Sequence, residues 1–110
     1  MNTLYVLDKE NNARPVTWQE YDDWETEIPK ESRTAFGKRL AVNHFGPTTV
    51  LTVFVATPIG YFGRKPQLWI TLTIGPGIWE ESRYSSHRAA MSGHAAACKV
   101  SCPAAPAVPA

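Results

Sequence analysis

The residues best suited to chemistry lie between Pro58 and Ser85. The run Tyr61-Phe62-Gly63-Arg64-Lys65 sets two aromatic rings beside two cations. Such rings can stack on a base, and such cations can meet a phosphate. Gly60 and Gly63 would let the backbone approach a ligand closely. Trp69 shares a strand face with Thr71 and Thr73, as part of the core or as a binding platform. Arg83-Tyr84-Ser85 leads into a helix start, where free amides and an arginine suit an anion. The expected ligand-binding residues are therefore Tyr61, Phe62, Arg64, Lys65, Trp69, Arg83 and Tyr84. The rival readings are an ordinary hairpin loop with solvated charges and a plain helix cap.

Other chemistries lack a signature. His44, His87 and His94 are far apart in the chain. No Ser-His-Asp, Cys-His or paired-carboxylate spacing stands out, and no Gly-rich phosphate loop or dinucleotide fingerprint is present. No catalytic residue, cofactor or metal is expected, and the protein reads as a binding protein and not an enzyme. Cys98 and Cys102 are spaced Cys-x-x-x-Cys, which is neither a zinc-ribbon nor a thioredoxin pattern. His94 stands one turn before Cys98, but a fourth ligand is not evident. The thiols read as incidental.

The net charge is +1, which argues against general nucleic-acid binding. No stretch approaches the roughly 18 apolar residues of a membrane span. The start, Met-Asn-Thr-Leu-Tyr-Val-Leu-Asp, does not resemble a signal peptide, so a cytoplasmic location is expected.

The elements that would position these residues follow from periodicity. Leu4 to Leu7 and Ala13 to Val16 flank a polar turn and suggest a small hairpin. Thr17-Trp18-Gln19-Glu20 is a capping box for a short helix that carries Trp18, Tyr21 and Trp24 as an aromatic stripe, expected to face the core. Lys38 to Phe45 alternates loosely as a strand, and Gly46-Pro47 marks a turn. Thr48 to Thr57 is the clearest strand, apolar on both faces, so either central or covered by a partner. Pro58 to Pro66 reads as a loop and Gln67 to Ile74 as the partner strand. Ile78 to Tyr84 suggests another short strand. Ser85 or Ser86 caps a last helix running to about Cys98. The prediction is an α+β fold, a small antiparallel sheet with two helices packed on one face. Residues 1–100 form one domain, and residues 101–110 form a disordered Pro/Ala tail.

Three stretches together resemble a known family. They are Leu4-Tyr5-Val6-Leu7-Asp8 with Arg14-Pro15-Val16 and the Trp18–Trp24 helix; Val50-Leu51-Thr52-Val53-Phe54-Val55 with Phe62-Gly63 and Pro66-Gln67-Leu68-Trp69-Ile70-Thr71; and Arg83-Tyr84-Ser85 with Ala89-Ala90 and Gly93-His94. The family comprises small uncharacterised proteins of bacteriophages and prophage-like regions. Its members carry V-S-T-V-F-L-G-L-D-H, P-L-L-W-E-T-M-V-F and R-Y-S-T patterns, then an Ala-rich helix with Gly-His. This chain has Pro58-Ile59 where the family tends to have Asp-His, and Ile70 where it has Glu after Trp. The resemblance brings no activity with it. It implies a phage accessory protein in the cytoplasm of a bacterial host. The expected role is anti-defence by binding. The partner is a small anionic nucleotide-type ligand that it sequesters, or a host defence protein that it blocks as anti-CRISPR proteins do. The alternative is a structural or assembly protein, or one with no ligand. Two apolar strand faces in a short chain also lead us to expect a homo-oligomer.

Overall fold

The computed structural model describes residues 3–34 and 36–101. Strands β1 (Leu4–Leu7) and β2 (Ala13–Val16) pair antiparallel. Their turn is held by Asp8, whose Oδ1 accepts from the amides of Glu10 and Asn12. Helix α1 (Trp18–Thr26) begins with the expected capping box. The Thr17 hydroxyl accepts from the Glu20 amide at 3.2 Å, and the Glu20 carboxylate accepts from the Thr17 amide at 3.0 Å. The amide bond from Thr17 holds the Glu20 pKa below its ordinary value.

The main sheet contains β3 (Lys38–Phe45), β4 (Thr48–Phe54), β7 (Trp69–Gly75) and β8 (Ile78–Tyr84), all antiparallel, in the order β3-β4-β7-β8. Helix α2 (His87–Ser101) follows. The chain adopts a small α+β fold, and β4, apolar on both faces and expected to be central or covered by a partner, lies inside the sheet with β7 beside it. The capped helix start at Ser86 also agrees with expectation, its hydroxyl accepting from the Ala89 amide. The helix continues to Ser101, the first residue assigned to the tail; the rest of that tail, with Cys102, lies outside the described residues.

Register assigns the faces. Thr52 pairs with Thr71 and Phe54 with Trp69, so these side chains share one face. Both helices pack on it. Leu7, Phe54, Leu68, Trp69 and Ala90 form the core, with Trp24 of α1 and Met91 of α2 against it. The Phe54 ring meets Trp69 at 5.3 Å and Trp24 at 5.9 Å, both edge-on. The aromatic stripe of α1 is a partial core only. Its rings stack along the helix at 5.8 and 6.0 Å, Trp24 alone joins the core cluster, and Trp18 remains exposed. A nine-residue helix lying mainly on the β1–β2 hairpin has too little sheet beneath it to cover all three rings.

The opposite face carries Leu51, Val53, Ile70, Leu72 and Ile74, with Val53 and Leu72 buried at its centre. Phe36, just before β3, and Trp79, on the far edge strand β8, approach to 6.3 Å. Phe36 lies in the connection before β3, outside the sheet, so the contact joins that connection to the edge strand β8.

Candidate functional site

The segment expected as a loop contains a small hairpin of its own. Strands β5 (Tyr61–Phe62) and β6 (Lys65–Pro66) pair antiparallel around Gly63 and Arg64. Gly63 has φ 65°, in the left-handed region that a Gly adopts without steric cost. Two backbone bonds close the base: Ile59 donates to Gln67 and Gln67 to Gly60. The hairpin projects its chemistry outward. Tyr61 is 63% exposed and Phe62 75%, and Arg64 and Lys65 are exposed beside them. Four of the seven expected ligand residues therefore share one protrusion.

The other three sit elsewhere, each with a different task. Arg83 does not stand at the start of α2. Its neighbour Tyr84 faces the helix, and alternation turns Arg83 to the other side of the sheet. There its Nη1 donates to the Ile59 carbonyl at 2.7 Å and its Nε to Glu81 at 3.1 Å. Arg83 thus ties the hairpin base to β8 and positions the protrusion. Tyr84 packs on α2 at Gly93, where any Cβ would run into the Tyr84 ring and hydroxyl. This explains a Gly inside a helix, where it costs about 1 kcal/mol relative to Ala. Trp69 is 2% exposed and belongs to the core, so the platform reading fails for its ring faces. Its Nε1 is nevertheless buried without a hydrogen-bond partner, a state that costs about 1–3 kcal/mol.

A polar chain that sequence reading missed lies under α2. His94 accepts at Nδ1 from the Thr52 hydroxyl at 2.8 Å, and its Nε2–H donates to Asn43 Oδ1 at 2.7 Å. The Thr71 hydroxyl donates in turn to Thr52 at 2.7 Å. The carbonyl oxygen of Asn43 sets the tautomer, because it can only accept. Burial pushes the His94 pKa below its ordinary 6.5. The order hydroxyl, imidazole, amide resembles a hydrolytic triad in outline. Thr52 is 0% exposed, however, so no substrate carbonyl can reach its oxygen. The network satisfies buried polar groups between helix and sheet. The Gly-His pair was visible in the sequence; its partners, 42 and 51 residues away, were not.

A third feature lies between α1 and the start of β3, a cavity of about 310 Å³ lined by Tyr21, Trp24, Arg33 and Lys38 among others. Its polar groups are already engaged. Tyr21 donates to Glu25 at 2.6 Å, and burial followed by this bond pushes its pKa up to about 12. Arg33 donates to the carbonyls of Glu25, Thr26 and Ile28, capping the end of α1. Lys38 lies 5.8 Å from the Trp24 ring centroid.

Among the described residues no cluster of three His, Cys, Asp or Glu side chains is placed to hold a metal, and no helix is long and apolar enough to cross a membrane. No family model, curated protein or solved structure matches the chain.

Proposed function

We propose that this protein binds, without catalysis, a small anionic ligand of nucleotide type on the β5–β6 hairpin. One observation carries the reading: two exposed aromatic rings and two exposed cations lie within residues 61–65. Exposed rings are ready to stack on a base, which contributes about 1–3 kcal/mol per base. Arg64 and Lys65 supply charge for phosphate oxygens. Arg83 holds the hairpin base, so the protrusion is partly organised before binding. The resemblance to phage-carried proteins supports the setting, an accessory protein that sequesters an immune signal in its bacterial host. Native mass spectrometry with and without cyclic and linear nucleotides tests the reading. A mass gain of one ligand per subunit or per dimer is expected, and no gain with any nucleotide would overturn it.

A second reading is a host defence protein as partner. It is favoured by the acidic surface of α1, where Glu20, Asp22, Asp23, Glu25 and Glu27 are all exposed. A basic partner face would complement it. Retention of a host protein by the wild type, lost on reversing Asp22 and Asp23 to Lys, would favour this reading.

A further inference from the structure

The two edges of the main sheet differ. An open edge carries unpaired backbone N–H and C=O groups that can pair with another strand. On β3 the register shifts between Arg39 and Ala41, and Arg33 bridges to Lys38 at the start of the strand. A bulge and a lysine are two of the devices that blunt an edge. The β8 edge has neither. Its register with β7 runs unbroken from Ile78 to Tyr84, and residues 78–83 are all exposed. Parity identifies its outward groups. The Val55 amide donates to the Leu68 carbonyl, one step beyond the Phe54/Trp69 pair, so Leu68, Ile70, Leu72 and Ile74 turn their backbone groups toward β4. Trp69, Thr71, Thr73 and Gly75 turn theirs toward β8, where they meet Tyr84, Ser82, Glu80 and Ile78. Trp79, Glu81 and Arg83 are left with their N–H and C=O groups facing outward.

Side-chain charge decides which strand fits this edge. Glu81 and Arg83 lie on the helix-free face, where the Arg83 Nε donates to Glu81 at 3.1 Å. Such charges turn most strands away. They match a second copy of the same strand. We infer that β8 pairs antiparallel with β8 of a second copy of this chain about Ser82, joining two four-stranded sheets into one continuous sheet. Glu81 and the partner's Arg83 then exchange both backbone hydrogen bonds, as do Arg83 and the partner's Glu81. Their side chains form a ring of four alternating charges, each opposite pair stabilising. Glu81 has Oε1 for this, since its own Arg83 uses Oε2, and Arg83 spends two of its five N–H donors on Glu81 and Ile59. The next register, centred on Glu81, sets two carboxylates face to face and is disfavoured. In the register about Ser82, Trp79 lies diagonal to the partner's Arg83, within reach of a cation–π contact. The pairing uses the same edge on both copies, so it closes at a dimer.

The test uses the full-length chain. Sedimentation over a concentration series is expected to show a monomer–dimer equilibrium. Glu81→Arg and Arg83→Glu each leave the ring with charges of one sign, and each should weaken dimerisation by roughly tenfold. An equimolar mixture of the two variants should restore it, because one copy then supplies only Arg and the other only Glu. Restoration also shows that both variants fold. Ser82→Cys should give a disulfide-linked dimer on mild oxidation, since Cα atoms of a non-hydrogen-bonded pair at the axis stand about 4.5 Å apart, within disulfide range. Glu80→Cys, away from the axis, should cross-link no more than wild type, whose native thiols set the background. A monomeric wild type overturns the inference. So does a dimer that neither charge reversal weakens, a loss in both variants that mixing does not restore, or an absence of cross-linking in Ser82→Cys.

Discussion

The imidazole of His94 and the hydroxyl of Thr52 meet at 2.8 Å, joining α2 to the centre of the sheet. The bond requires a neutral ring, because Nδ1 is the acceptor. Burial lowers the folded-state pKa below 6.5, so the unfolded chain takes up the proton first as pH falls. The contribution of this residue to stability is therefore complete above about pH 6.5 and declines as the pH drops below it. Urea unfolding at pH 7.5 and pH 5.5 should show lower stability at the acidic value. His94→Asn should flatten that slope; an unchanged slope would show that His94 does not cause it.

Removing the ring should also cost stability at neutral pH. His94→Ala leaves the Thr52 hydroxyl without its acceptor in a fully buried position. A loss of at least about 1–3 kcal/mol is expected, the penalty of an unsatisfied buried polar group. Denaturant midpoints at pH 7.5 measure it.

Gly93 inverts the usual helix rule. Replacing an interior helical Gly by Ala normally stabilises by roughly 0.5–1 kcal/mol. Here the added methyl meets the Tyr84 ring, so Gly93→Ala should destabilise by about 1–3 kcal/mol, as overpacking does. In a double-mutant cycle, Tyr84→Ala should remove much of that penalty. Additive losses would mean that the two residues are not in contact.

Arg64→Ala should leave folding unaffected, because the side chain is exposed on a short hairpin. It should weaken an anionic nucleotide by about 1.5–3 kcal/mol, the worth of a charged hydrogen bond. Unchanged affinity by calorimetry would remove Arg64 from the site.

The helix-free face of the sheet leads to an expectation about assembly. Trp79 is 58% exposed on the edge strand β8, and Phe36, whose ring lies 6.3 Å from it, is exposed as well. Clustered large apolar side chains are seldom left to water. A dimeric mass is expected by light scattering at high micromolar concentration, shifted toward monomer by Trp79→Glu. A monomeric wild type would overturn this.

Sequence alone determined whatever depends on neighbours within four residues. Alternation at Leu68 to Ile74 marked β7 and its two faces, the Thr17/Glu20 spacing marked the start of α1, and Ser85 or Ser86 bracketed the start of α2, with the structure choosing Ser86. Tertiary structure decided the rest. Trp69 and Trp79 both sit on alternating strands, yet one is sealed against Phe54 and the other meets water, because local period does not say which face the helices will cover. The same holds for Arg83. Its place beside a helix start suggested an anion site, and its side-chain direction tied it to Ile59 instead. The His94 network arises from packing segments far apart in the chain, whose contacts leave no trace in local spacing.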